Sequence, residues 1–553
     1  METITISLVL LLAVVISGIL ARLSPIPLPL PLVQIGFGAL IAATTGEAVS
    51  LNPEIFFLLL LPPLLFLDGW RIPKEELFHD KGTILELAFG LVIFTVVGMG
   101  FFIHWMIPTM PLPVAFALAA ILSPTDPIAV SSIAARVPIP KRMMHILEGE
   151  SLLNDASGLV CMRFAVAAAL TGGFSLMTAA GTFLWLALGG IAIGVGVTWS
   201  ITYAKGWITR RIGEDTGAQI LISLLIPFGA YLAAEHLHAS GILAAVAAGI
   251  TMSYAESGGQ ALATTRVRRT AVWDTVQFTV NGIIFVLLGE QLPKIASSAA
   301  EVVRATGRDE VAWLAVYVVA TNFALAVLRF GWVWASLRFT IYRRRLNGGP
   351  GAVVSSAPSW RLVAAMSLAG VRGAITLAGV MTLPLVMLDG SPFPARDVAV
   401  FIAAGVIIVS LAASSIGLPF LLKGLKLPPE PSHHKEEERA RALAAEAAIK
   451  AIELRQHAMS AGLSDVDRYV DVAAQVMDIY RKRIDRMQRT AETAELAEEV
   501  RKAEQVEREL RLAGLRAERE ELYRLARNRL VSEEIIRKLV RDIDLAETRL
   551  LAG

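Results

Sequence analysis

The chain holds a single cysteine, Cys161, so no internal disulfide can staple it, and this thiol sits in an apolar block where it says nothing about redox compartment. Charge is scarce too: 18% of the 553 residues are Asp, Glu, Lys or Arg, against 55% hydrophobic. A soluble domain carries about 25% charged residues to cover its surface, so much of this surface faces something other than water. The scarcity is local. Residues 1–427 are a series of apolar blocks, whereas 428–553 are crowded with Glu, Arg, Lys and Ala. The net charge of +2 averages over these two regions, and no nucleic-acid partner is expected. No basic residue precedes the first apolar core, Ile4 to Leu20, and no small-residue cleavage site follows it, so this block reads as a first membrane helix rather than a secretory signal.

A bilayer core about 30 Å thick needs roughly 20 apolar residues of helix, and only helices satisfy their own backbone within one such segment. Thirteen blocks qualify: 3–20, 28–44, 53–68, 83–107, 112–135, 146–170, 180–204, 216–235, 240–255, 272–291, 311–337, 361–387 and 396–422. The second and ninth are short, and the ninth could be re-entrant. Alternate connections are basic: Arg71/Lys74/Lys81, Arg136/Lys141/Arg142, Lys205/Arg210/Arg211, Arg266/Arg268/Arg269 and Arg338/Arg343/Arg344/Arg345. One other connection, with Lys294, Arg304 and Arg308, also carries Glu301, Asp309 and Glu310. By the positive-inside rule the N-terminus lies outside and the tail in the cytoplasm.

Ionisable residues deep in a membrane are costly, and they mark functional sites. The fifth span carries Ser123-Pro124-Thr125-Asp126-Pro127; the sixth carries Glu148-Gly149-Glu150-Ser151-Leu152-Leu153-Asn154-Asp155; the eleventh and twelfth carry Arg329 and Gly370-Val371-Arg372-Gly373. Counted from the cytoplasmic ends of their spans, Asp126 and Asp155 lie nine residues in, Arg329 eight and Arg372 eleven. At about 1.5 Å per residue these depths agree near the midplane. Pro124 and Pro127 release the carbonyls of Ala120 and Ser123. An unwound turn there offers carbonyl, hydroxyl and carboxylate oxygens to a small cation, as broken helices do in secondary transporters. A proline kink with a structural Asp is the simpler reading of that motif taken alone. On the sixth span Ser151 and Asp155 share one helical face, with Glu150 and Asn154 on the next stripe. A buried Glu150 needs a cationic partner, and Arg329 and Arg372 are the basic side chains at suitable depth.

These motifs, in this order and at these span positions, resemble those of the monovalent cation:proton antiporter-1 family, the sodium/proton exchangers, over almost all of residues 1–425. Leu61-Pro62-Pro63 before Asp68, and Ser240-Gly241-Ile242 after His236, belong to the same set. The resemblance implies an all-α polytopic membrane protein of thirteen helices in two inverted repeats, its fifth and twelfth crossing at interrupted middles, and a homodimer in the inner membrane. It implies that Asp155 binds the ion and the proton, that Asp126, Thr125 and Ser151 complete the site around Na+, and that Asn154 organises it. Glu150 would pair with Arg329, and Arg372 would be structural or inward-facing. Asn154-Asp155 in place of two acids goes with electroneutral one-for-one exchange. Asp155 can then hold either a proton or a sodium ion, so neither covalent chemistry nor an organic cofactor is called for and no enzymatic activity is expected. K+ and Li+ are alternative ions, and a K+/H+ antiporter is the alternative function. A cation channel or membrane sensor would be expected to show a repeated filter segment or rings of charge, and neither is visible.

Among weaker signals, Asp68 closes the third span as a candidate carboxylate at the cytoplasmic mouth. Glu290 and Gln291 end the tenth span at the outer interface, and His236 and His238 lie in an outer loop. Beyond Pro428, Pro429 and Pro431 the spacing of Leu443, Ala447, Ile449, Ile452 and Leu454 predicts a cytoplasmic helical domain, regulatory or passive, with no nucleotide-binding glycine motif and no identified partner.

Overall fold

The structure, a computed structural model, describes residues 2–23, 29–45, 58–72, 81–126, 130, 141–172, 181–182, 184–257, 262–305, 312–347, 359–423, 433–460, 466–492, 494–528, 531 and 533–551. The expectations about Lys74, Pro127, Arg136, Arg308, Asp309, Glu310 and the prolines 428, 429 and 431 fall outside them, as do the side chains of Lys81, Lys141, Arg142, Arg304, Arg343, Arg344 and Arg345. Among the described residues the regular structure is helical apart from one isolated bridge, Val386 to Pro392. Contacts divide the chain into Met1–Leu425 and Lys426–Gly553.

In the first unit the helices are α1 (Glu2–Leu23), α2 (Leu30–Thr45), α3 (Leu61–Arg71), α4 (Gly82–Met106), α5 (Leu112–Leu122), α6 (Lys141–Thr171), α7 (Trp185–Ile212), α8 (Thr216–His236), α9 (Gly241–Ser257), α10 (Ala263–Ala305), α11 (Ala312–Asn347), α12 (Trp360–Leu368), α13 (Ala374–Met381) and α14 (Arg396–Leu422). Among the described residues, seven helices are long and apolar enough to cross a bilayer, namely α4, α6, α7, α8, α10, α11 and α14; the apolar stretches of α1, α2, α5 and α9 are shorter. Two of the sequence's blocks are interrupted among the described residues. The fifth block stops being helical at Ser123, and the twelfth is divided into α12 and α13 by residues 369–373.

Apolar helices in lipid gain little from burying apolar surface, so close contact relies on small residues. At Gly249 of α9 an added Cβ would stand 2.0 Å from the Phe66 carbonyl of α3, and at Gly289 of α10 one would stand 1.9 Å from the Ile35 carbonyl of α2. The latter contact corrects the reading of Glu290 and Gln291. The helix α10 continues unbroken to Ala305, and its seam with α2 leaves these side chains only 3% and 9% exposed rather than interfacial. Arg269 is likewise not a loop cation: it lies within α10, is 1% exposed and pairs with Glu256.

The second unit holds α15 (His433–Ser460), α16 (Val466–Glu492), α17 (Ala494–Arg527) and α18 (Glu533–Leu551), each packed on the next. Arg519 ties α17 to α18 through Asp544 at 2.7 Å and Glu547.

Replacing Gly249 by Ala should force α3 and α9 apart and cost about 1–3 kcal/mol of stability, as overpacking does. Thermal unfolding in detergent checks this against Gly196→Ala, whose added Cβ meets nothing within 4 Å.

Candidate functional site

The site begins where α5 ends. Pro124 has no N–H to offer Ala120, and the Ser123 hydroxyl donates to that carbonyl instead, at 3.0 Å. One residue pair further on, Leu122 C=O and Asp126 N–H would bond each other in a continued helix. Both instead reach the second broken helix: Asp126 N–H donates to the Val371 carbonyl at 2.7 Å, and the Leu122 carbonyl accepts from Arg372 Nε at 2.9 Å. The Arg372 guanidinium also donates to the Gly370 carbonyl, and its backbone N–H donates to Ser410 Oγ of α14 at 3.2 Å. This side chain, 5% exposed, thus sits on the carbonyl ends of both α5 and α12, where the helix dipole favours a cation.

Each glycine of Gly370-Val371-Arg372-Gly373 makes room for a charged neighbour. A Cβ at 373 would stand 1.8 Å from Asp126 Oδ2, and one at 370 would stand 2.8 Å from Arg329 Cδ and Nε.

The helix α6 supplies the other wall. Arg329 of α11 grips Glu150 with both ends of its fork, at 2.5 and 2.7 Å, and its Nε donates to the Met366 carbonyl at 3.2 Å. Glu150 is 1% exposed and Arg329 3%. Thr125 Oγ1 donates to Glu150 Oε1 at 3.3 Å, while Asn154 Nδ2 donates to Thr125 Oγ1 at 3.1 Å. Thr125 and Asn154 therefore belong to a network around the Glu150–Arg329 pair. Asn154 Oδ1 is left buried and without a hydrogen-bond partner.

Asp155 is different. It is 4% exposed, and among the described residues no hydrogen bond reaches its carboxylate. The charges acting on it are Asp126 first, then Asp68, then Glu150. Ser151, one turn away on the same helix, is 6% exposed. Asp68 does not close its helix, because α3 runs on to Arg71. The charges acting on it are Asp126 and Glu148, opposed by Arg71, so it belongs to one group of acids with Asp126. His236 and His238 lie outside this group, at the end of α8.

Two contributors escaped the sequence reading. In α4 the turn Glu86–Leu91 is π-helical, and its Ala88 carbonyl accepts from the Ser157 hydroxyl of α6 at 2.6 Å; π turns recur beside functional sites. Gly158 of α6 lies against Pro124, 2.4 Å from where its Cβ would be. The hydroxyl and the glycine of Ser157-Gly158, one residue beyond Asn154-Asp155, were the available signals.

Truncating one partner of a buried ion pair strands the other, at about 3–5 kcal/mol. Glu150→Ala and Arg329→Ala should each lower the unfolding midpoint in detergent, and the double variant should lose less than the sum of the two. Additive losses in such a cycle would separate the two residues energetically.

Comparison with known proteins gives the same picture. A family model described as "Sodium/hydrogen exchanger, transmembrane" matches residues 9–424. YjcE, an uncharacterized Na+/H+ exchanger of Escherichia coli, is 41% identical over 551 residues, covering 98% of each chain. A sodium, potassium, lithium and rubidium/H+ antiporter of Bacillus pumilus is 37% identical, over 97% of this chain and 76% of its own. Among solved structures, the sodium proton antiporter MjNhaP1 of Methanocaldococcus jannaschii shares the fold, with a TM-score of 0.55 at 19% identity over 77% of this chain and 99% of that one. The chain belongs to the sodium/hydrogen exchanger family, a family of polytopic membrane antiporters rather than enzymes.

Proposed function

We propose that the chain exchanges sodium for protons one for one, by competition for the Asp155 carboxylate, in a site that opens to each side of the membrane in turn. One observation carries this reading. Of the two acids that α6 places at the crossing, Glu150 is already neutralised by a two-point bond to Arg329, whereas Asp155 has no hydrogen bond among the described residues. A bare carboxylate in a low-dielectric site is costly, so it takes up either a proton or a metal ion. Asp126, with Thr125 and Ser151, supplies further oxygens around the cation, and Asn154 holds Thr125 in place. Arg372 closes the broken helix ends, and Asp68 forms a mouth carboxylate.

Membership of an antiporter family supports cation/proton exchange. The name of the Bacillus pumilus relative, with four alkali ions in it, favours testing potassium as a second substrate. The protein is further proposed to span the inner membrane thirteen times as a homodimer, with its N-terminus outside and the helices after residue 427 in the cytoplasm. The alternating basic connections support that orientation.

The test is proton movement in proteoliposomes on adding Na+, K+, Li+ or Rb+. The wild-type chain should respond to sodium, and Asp155→Asn should abolish the response to every ion while keeping the wild-type elution profile. Full sodium-driven proton movement in that variant would remove the basis of the site.

A further inference from the structure

A cavity of about 270 Å³ lies between α7, α8 and α9, away from the crossing, with Thr202, Lys205, Thr209, Arg210, Gln219 and Glu256 in its wall. The acid in this wall is already engaged. Glu256 Oε2 accepts Trp70 Nε1–H of α3 at 2.9 Å, and its other oxygen is paired with Arg269 of α10. The two cations are not. Lys205 has no hydrogen bond or ion pair among the described residues, and the strongest charge acting on it is another cation, Arg269. Arg210 uses only its Nε, donating to the Gly206 carbonyl at 3.1 Å. Glu256 and Glu214 act on Lys205 with the opposite sign; Glu214 lies outside the wall, where its Oε2 accepts from Leu262 N–H at 3.0 Å and its Oε1 is buried without a hydrogen-bond partner. Lys205 and Arg210 thus face the cavity without a carboxylate contact of their own among the described residues, and with Arg269 they outnumber Glu256 and Glu214 by one charge.

Its polar atoms narrow the ligand further. Gln219, 6% exposed, donates to Thr209 Oγ1 at 3.1 Å and leaves its Oε1 buried without a partner. The Thr202 hydroxyl is also buried without one. Two cations and two hydroxyls suit a phosphate, and the idle amide oxygen suits a hydroxyl carried by the same ligand. Helix-end electrostatics do not account for Lys205. It stands eight residues before the cap at Gly213, and the dipole acts over the last turn only. The volume, just below the roughly 300–1,000 Å³ of ligand cavities, suits a small headgroup. Along the outer face of α7, Trp199 and Tyr203 are 65% and 63% exposed and Arg211 stacks on Trp207, the aromatic and basic mix of a membrane boundary.

We propose that this cavity binds a phosphate ester bearing a free hydroxyl, with the phosphate on Lys205 and Arg210 and the hydroxyl on Gln219. An anionic glycerophospholipid headgroup and a free glycerol phosphate share this chemistry.

The full chain, purified in detergent, is titrated with phosphatidylglycerol, phosphatidylcholine or glycerol 3-phosphate, and the unfolding midpoint and bound mass are read. Phosphatidylglycerol should raise the midpoint and stay bound, phosphatidylcholine should not, and the lipid identifies the source when glycerol 3-phosphate alone has no effect. A response to glycerol 3-phosphate makes the source a soluble ester. Lys205→Gln with Arg210→Gln should weaken the effective ligand at least tenfold, while Arg211→Gln leaves it unchanged. Should the double variant not fold, Arg210→Gln alone, at an exposed position, should weaken binding several-fold. Equal responses to the two lipids, no response to any probe, or a charge-removed variant that binds as wild type overturns the proposal.

Discussion

The constraint on which the first unit depends is that backbone groups freed inside a membrane find partners within the protein, because lipid offers none. Two helices stop short here, and each break strands polar groups. The chain resolves this by letting the breaks meet. The N–H of Asp126 goes to Val371 and the carbonyl of Leu122 goes to Arg372, so a bond that one helix would have made internally becomes a pair of bonds between two segments. The crossing is thus an exchange of hydrogen bonds, and a guanidinium that reaches two helix ends completes it.

Around this crossing the charged groups divide into two sets. Glu150, Arg329 and Arg372 have close partners, and they are geometry holders: their bonds are short, buried and directed. The acids Asp68, Asp126 and Asp155 act on one another through space. Thr125 and Asn154 join the first set through their hydrogen bonds to Glu150 and to each other. The Thr125 hydroxyl is therefore oriented by the Glu150–Arg329 pair and by Asn154.

Much of this was legible in the order of residues. The prolines at 124 and 127 announce a break, the agreement in depth of Asp126, Asp155, Arg329 and Arg372 announces a shared plane, and Gly370 to Gly373 announces a tight approach. Other features were not legible, for physical reasons. Apolar blocks do not reveal where a helix ends when the next turn is also apolar, so the break after Leu122 and the division at residues 369–373 were not bounded in advance. Arg269 looked like one of three cations in a loop. Its burial depends on Glu256 and Trp70, which lie elsewhere in the chain, and the one local hint was Trp273 a turn later on the same face. Glu290 was placed at a boundary because the apolar run ends there, whereas packing between glycines of α2 and α10 carries the helix past it. A widened turn such as Glu86–Leu91 leaves no mark in composition at all.

The contact between position 373 and the acid at 126 bears on how such a chain can diverge. With a side-chain carbon at 373 only 1.8 Å from a carboxylate oxygen, neither residue can grow without the other yielding, although they are separated by most of the membrane unit in sequence. The constraint runs one way: a side chain at 373 displaces the carboxylate at 126, whereas a smaller side chain at 126 leaves both the glycine and the backbone bond to Val371 in place.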